Sequence, residues 1–182
     1  MVIGRWTSSP FGAFADAMVE SAAGHRTLIA PNDDVAALIG ELYDFDAVAT
    51  AAIVTERSPR RLRFAGGPLH AELTVGGRDA LGWCLAAVPR RVATSPGWAI
   101  AIDPVARLVM RGVRTRGRTA GGREFYAATD RHRLTAVRAT WEGADLGELR
   151  AVDPPVRFGF SSTPKRPSIV GVATTVIPDG AA

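Results

Sequence analysis

The residues best suited to chemistry lie in one segment, residues 112–129, where arginines alternate with small and polar side chains. A turn at Ala120–Gly121 would fold this segment into a β-hairpin whose successive side chains point to opposite faces. The opposed pairs would be Arg118 with Arg123, Arg116 with Phe125 and Arg114 with Ala127. One face would carry Arg114, Arg116, Arg118, Arg123 and Phe125, and the other Val113, Thr115, Glu124 and Tyr126.

If the arginines face solvent, Glu124 and Tyr126 point into the protein. A glutamate buried in a protein needs a polar partner or a raised pKa. An inward Glu–Tyr pair could anchor a small molecule, or act as acid and base in a cofactor-free lyase, isomerase or cyclase. The pair could instead form an internal hydrogen bond that only fixes the strand register. The candidate ligand-binding residues are Glu124, Tyr126, Trp141 and Thr115, and the first two are also the candidate catalytic pair.

The opposite orientation of the hairpin gives a different site. With the arginines inward, their guanidinium groups would bind an anion, because guanidinium matches carboxylate and phosphate in geometry. Arginines directly opposite each other destabilise a sheet unless an anion compensates them. The alternative anion-binding residues are therefore Arg114, Arg116, Arg118 and Arg123. A third possibility is an interaction module whose exposed arginine face meets an acidic partner.

The sequence contains no motif that indicates a metal, a cofactor or a covalent mechanism. The three histidines lack metal-ligand spacing, and Cys84 is the only cysteine, so neither a disulfide framework nor a cysteine-based zinc site can form. Gly159-Phe160-Ser161 lacks the second glycine of a nucleophile elbow, and no phosphate-binding glycine loop occurs. We therefore predict no metal and no cofactor.

The composition is that of an ordinary globular domain. The 182 residues, with 47% hydrophobic and 22% charged side chains, fit a single domain spanning residues 1–182. The net charge of +4 is modest, and stacking aromatics are sparse beside the arginines, which disfavours nucleic acid as a partner. No apolar stretch of signal-peptide length opens the chain, and no run is long enough to span a bilayer. We therefore expect a cytoplasmic protein.

The elements that would position these residues are mostly strands around one helical insert. Asn32 or Asp33 would cap a helix that ends near Tyr43. Residues 68–75 alternate as a half-buried strand. The insert, about 79–110, would hold a short buried helix and an amphipathic stretch that is a lid, a membrane-surface helix or a cover over a barrel end. With about nine strands and about three helices, we predict an α+β fold with a mainly antiparallel, strongly curved or barrel-like sheet.

The strings "GRWTSSPFGAFADAMVE" and "DPPVRFGFSSTPKRPSIV" resemble a family of proteins from high-GC, actinobacterial-type bacteria, and the resemblance runs over the whole chain. It implies no activity. The residues themselves favour a barrel-like protein that binds a small hydrophobic or amphipathic molecule through an apolar cavity and a few polar anchors. The cofactor-free enzyme and the arginine-rich interaction module are the alternatives.

Overall fold

The computed structural model of the protein describes residues 1–110, 112–119 and 122–178. These residues form eleven strands in two sheets and four helices. The strands are β1 (Val2–Trp6), β2 (Phe14–Glu20), β3 (Arg26–Ala30), β4 (Ala47–Thr50), β5 (Ile53–Arg57), β6 (Arg61–Gly66), β7 (Leu69–Arg78), β8 (Arg116–Thr119), β9 (Gly122–Trp141), β10 (Ala144–Asp145) and β11 (Ser168–Ile177). The helices are α1 (Asp33–Leu42), α2 (Ala80–Ala87), α3 (Arg90–Ala93) and α4 (Pro96–Val109).

The α+β fold predicted from the sequence is confirmed, but the barrel is not. The first sheet has the order β1-β2-β3-β4, and in the second β9 pairs with β7, β8, β10 and β11. No pairing among the described residues closes either sheet. The strands also number more than nine, because short strands such as β1 and β10 were not predicted from the sequence. α3 is a further helix, four residues long, that the sequence analysis did not separate.

The chain divides into two compact units. Unit 1 contains residues 1–74 and 136–149, and unit 2 contains residues 75–135 and, within the described chain, 150–178. The helical insert expected at about 79–110 lies in unit 2 and forms α2, α3 and α4. None of the helices in the described ranges has the length and hydrophobicity needed to cross a bilayer.

Unit 1 is built around a β3-α1-β4 crossover. Asn32 caps α1 by accepting a hydrogen bond from the backbone N–H of Val35 at 2.9 Å, as the sequence predicts. The apolar side of α1 packs Val35 and Ile39 onto the buried Leu28 of β3. Because a helix separates them, β3 and β4 pair in parallel. The first sheet is therefore mixed rather than wholly antiparallel.

The second hydrophobic cluster of unit 1 confirms the alternation predicted for residues 68–75. In β7, Leu69, Ala71 and Leu73 are buried and His70 is exposed. The cluster joins Leu69 and Ala71 to residues from the first sheet. Its buried members are Ala15, Ala17, Ile29, Phe64, Leu69, Ala71 and Ala139.

Unit 2 is organised by β9, a strand of 20 residues. Its first part pairs with β8 in the predicted register, with Arg116 opposite Phe125 and Arg118 opposite Arg123. The proposed turn at Ala120–Gly121 lies outside the described residues, and the described pairing begins at Arg116, so it does not include Arg114. On its other edge β9 pairs with β11. Phe125 is buried although its cross-strand partner Arg116 is exposed, and β9 is here a central strand paired with β8 on one edge and β11 on the other.

Candidate anion-binding site

One cluster of charged side chains in unit 2 centres on the buried carboxylate of Asp103 on α4. Asp103 is only 1% exposed, and three arginines surround it. Its oxygens lie 3.5 Å from Arg114 Nε, 3.9 Å from Arg107 Nη1 and 3.9 Å from Arg116 Nε. Arg107 follows Asp103 by one helical turn, and the other two arginines come from the residues that lead into β8 and begin it. One buried acid therefore ties α4 to the arginine hairpin.

Hydrogen bonds from Thr115 fix the position of this carboxylate. The backbone N–H of Thr115 donates to Asp103 Oδ1 at 3.0 Å, and the Thr115 hydroxyl donates to the carbonyl of Ala99 at 2.6 Å. Burial on its own would raise the pKa of Asp103. The Thr115 N–H and the three arginines outweigh burial and lower that pKa below its usual value of 3.8. Asp103 is thus a fixed negative charge that orients guanidinium groups.

Beside this cluster lies a pocket of about 280 Å³ lined by arginines. Arg107 and Arg114 reach it from the Asp103 side, and Arg157 reaches it from the irregular segment before β11. No acidic side chain belongs to the described lining. The remaining lining residues are Gly112, Val113, Phe160 and Ser162. Three positive charges therefore share a pocket with one partly compensating carboxylate behind it.

The third arginine of this pocket is held by backbone carbonyls. Arg157 Nε donates to the carbonyl of Gly159 at 2.9 Å, and Arg157 Nη2 lies 3.5 Å from that of Phe160. The backbone N–H of Ser162 donates to the carbonyl of Gly112 at 3.0 Å, which joins the two walls of the pocket. The carbonyl contacts hold Arg157 in place before any ligand binds, which lowers the conformational entropy lost on binding.

The predicted ligand-binding residues are not gathered in one place. Glu124 is fully buried, as expected for an inward residue, and Tyr126 is half-buried on the same side of β9. Thr115 holds Asp103 in place rather than lining the pocket. Trp141 belongs to unit 1, where it packs against the hydrophobic cluster. The pocket's described lining contains none of the four, although Phe160, which does line it, stacks on Tyr126 with ring centroids 4.7 Å apart.

Of the four arginines proposed for anion binding, only Arg114 lines the pocket. Arg116 is half-exposed and contacts Asp103, whereas Arg118 and Arg123 are exposed on the hairpin. Arg107, Arg157 and Ser162 were not predicted from the sequence. One signal was available: Asp103 and Arg107 have the i, i+4 spacing of a helical ion pair within an otherwise apolar helix. Nothing in the sequence places the segment that carries Arg157 and Ser162 beside α4.

A second charged cluster in unit 2 compensates itself. Arg78 makes a two-pronged contact with Asp130, at 2.8 and 3.0 Å, and the Asp130 carboxylate lies 3.2 Å from His132 Nε2. The Arg78 hydrogen bonds lower the pKa of Asp130 to about 2. Arg131 pairs with Asp79 at 3.3 Å. Because positive and negative groups alternate here, the cluster leaves no excess charge to attract a ligand.

The open groove of unit 1, about 730 Å³, carries both signs of charge, with four acids and two arginines in its described lining. Arg63 contacts Glu72 at 2.8 Å and Glu56 at 3.3 Å across its floor. Its lining carries acids as well as bases, in contrast to the arginine pocket. Among the described residues, no group of three or more His, Cys, Asp or Glu side chains could hold a metal ion.

No protein-family model, curated protein or solved structure matches this chain. The resemblance of the two terminal strings to proteins of high-GC bacteria therefore stays a prediction. A fold alone does not determine a function, so the function has to be argued from the site.

Proposed function

We propose that this protein binds a small molecule carrying a phosphate or carboxylate group in the arginine pocket of unit 2. One observation carries the proposal: Arg107, Arg114 and Arg157 line a single pocket whose described lining contains no acid. Like charges held close together destabilise a protein unless an anion compensates them. The single negative charge of Asp103 offsets only one of these three positive charges, so a bound anion would offset the remaining charge.

The pocket's dimensions and chemistry define the class of ligand. A volume of about 280 Å³ is slightly below the usual range for drug-sized ligands, which favours a small metabolite. Guanidinium groups donate paired hydrogen bonds to the oxygens of phosphate or carboxylate. Ser162 adds a hydroxyl, and the ring of Phe160 supplies an apolar wall for the rest of the molecule. The proposal replaces the hydrophobic ligand expected from the sequence with an anionic one, and keeps the cytoplasm as the expected location.

Turnover on this scaffold, by a lyase, isomerase or cyclase reaction at Glu124 and Tyr126, remains a prediction. Tyr126 stacks on Phe160, so it is one side chain removed from the pocket. Glu124 is fully buried and is not part of the pocket's described lining. The geometry therefore supports binding more directly than it supports acid–base chemistry.

Native mass spectrometry tests the proposal on freshly purified protein. We expect an excess mass that leaves on denaturation, or one that appears when a phosphate or carboxylate compound is added. Arg157→Gln should abolish the adduct, while Arg60→Gln, an exposed arginine of unit 1, should keep it. An adduct that persists in Arg157→Gln, or no adduct with any added anion, would refute the proposal.

A further inference from the structure

The outer face of α4 is apolar, which is unusual for a helix exposed to water. The helix buries Ala99, Asp103 and Ala106 on one side. The opposite side presents Ile100, Pro104, Val105 and Leu108, and Leu108 is 88% exposed. A surface helix of a globular protein normally sets charged or polar residues opposite its buried stripe. The α4 face instead has the composition of a surface that something covers.

Helix α1 of the same protein shows the usual pattern. Its buried side carries Val35 and Ile39, and its exposed positions include Asp33, Asp34 and Glu41. The sequence can therefore place acids on a solvent-facing helix. In α4 the exposed face between Ile100 and Leu108 carries one charged residue, Arg107, at its border.

Along the helical segment that carries this apolar face, the exposed charges have one sign. From Ala80 to Met110 the charged residues are Arg90, Arg91, Asp103 and Arg107, and the single acid is buried. Arg90 and Arg91 belong to α3, which packs against α4. The exposed charge of the helical segment therefore consists of arginine alone. An apolar stripe bordered by cationic side chains is characteristic of helices that lie in the interface of an anionic membrane.

We propose that the outer face of α4, together with Arg90 and Arg91 of α3, docks on a membrane surface containing anionic lipids. The apolar side chains would enter the boundary between headgroups and acyl chains, and the arginines would contact lipid phosphates. A second copy of this chain fits less well, because a two-fold contact through the same face would bring arginines of both copies together. The inference does not depend on the anion pocket, since Leu108, Arg90 and Arg91 are not among the described residues that line it.

Vesicle co-sedimentation tests this docking surface on the full chain. The probes are vesicles of phosphatidylcholine alone and vesicles of phosphatidylcholine with phosphatidylglycerol at a ratio of about two to one. We expect binding to the anionic vesicles only, and weaker binding as the salt concentration rises. Leu108→Glu and Arg90→Glu should each lower the partition coefficient roughly fivefold or more. One charged side chain near an anionic surface changes the partition coefficient by about fivefold.

Matched variants separate this surface from general effects of charge. Leu146→Glu makes the same change at an exposed leucine of unit 1, and Arg60→Glu makes the same reversal at an exposed arginine there. Both should bind like the unchanged protein. Circular dichroism checks that each variant is folded, and Arg90→Glu, at an exposed position, provides a test even if Leu108→Glu misfolds.

Three results would overturn the inference. The first is no binding to anionic vesicles, and the second is equal binding to both vesicle types. The third is a dimer in sedimentation velocity that Leu108→Glu converts to a monomer, with no binding to vesicles, since a second copy would then cover α4. If Leu108→Glu still binds a small anion, the pocket is intact whatever the vesicle result, so the two proposals are tested separately.

Discussion

The pKa values of two buried aspartates are shifted in opposite directions, and the neighbours of each carboxyl group explain why. Asp16 on β2 has one strong polar contact, the indole N–H of Trp6 at 2.8 Å, and burial raises its pKa to about 6. Asp103 is just as buried, but three arginines and a backbone N–H lower its pKa. Burial disfavours the charge in both cases, and only Asp103 has positive charges that compensate it.

Asp16 gives a prediction about stability and pH. A carboxyl whose pKa is raised in the folded state binds its proton more tightly there, so the free energy of unfolding falls as the pH rises from about 4 to about 6. Asp16→Asn cannot ionise and still offers an acceptor to Trp6. We expect this variant to exceed the unchanged protein in stability by about 2–3 kcal/mol at pH 8, and by much less at pH 4. Denaturant titrations at both pH values measure the difference, and an equal difference at both would contradict the assignment.

Asp103 gives the opposite pH dependence. Because its pKa is lowered in the folded state, its ionisation stabilises the protein above pH 4, and this contribution disappears as the pH falls through the folded pKa. Asp103→Asn keeps an acceptor for the Thr115 N–H but removes the charge between the arginines. We expect the free energy of unfolding to fall by about 1–3 kcal/mol at pH 7. The neutral amide no longer attracts the three arginines, and each lost attraction is modest because their side chains are partly exposed to water. We expect a smaller loss at pH 3 than at pH 7; thermal unfolding of both proteins at the two pH values checks this, and an equal loss at both would contradict it.

At the scale of elements, the hairpin shows how far sequence reasoning reaches. Alternation and turn chemistry predicted the register of β8 on β9, because pairs such as Arg116 and Phe125 follow from the position of the turn alone. They could not predict that β9 is paired on both edges, since β11 comes from about forty residues further along the chain. Likewise Thr115 was expected to contact a ligand, whereas it anchors Asp103. Long-range neighbours decide a residue's role, and a single sequence does not reveal them.

The contact between α2 and β9 gives a prediction at the same scale. A Cβ added at Gly82 would overlap the backbone carbonyl of Arg131, so α2 approaches the strand more closely than any other residue would allow. Gly82→Ala should destabilise unit 2 by about 1–3 kcal/mol, despite the higher helix propensity of alanine. Gly97→Ala is the control, because a Cβ on that helical glycine meets nothing within 4 Å. Denaturant unfolding compares them, and an equal effect of both substitutions would refute the close approach.

At the scale of the whole molecule, the chain separates into two units although β7 and β9 each contribute residues to both. The sequence suggested one domain, because no linker or change of composition marks a boundary. Boundaries between the units fall within strands β7 and β9 rather than only in loops. Only the pattern of contacts distinguishes the units, and the proposed anion pocket lies wholly within unit 2.

This division predicts where an anion should stabilise the protein. Binding to the folded state slows amide exchange in the part that holds the ligand, by up to about 100-fold at a ligand concentration of about 100 times Kd. We expect peptides containing Thr115 and Ser162 to gain protection when a phosphate compound is added. Peptides from residues 26–50 of unit 1 should exchange as before. Hydrogen-exchange mass spectrometry makes the comparison, and equal protection in both units would contradict a site confined to unit 2.

The central claim is that the arginine pocket recognises the charge of a small anion. Isothermal titration of glycerol phosphate, glycerate and glycerol tests it directly, because these compounds share a skeleton and differ in the group offered to the arginines. We expect at least one of the two anions to bind and glycerol not to bind. Arg157→Gln should weaken that binding at least about tenfold, the loss of one charge-assisted hydrogen bond, while Arg60→Gln leaves it unchanged. Equal affinity in Arg157→Gln, or no binding of either anion, would contradict the account.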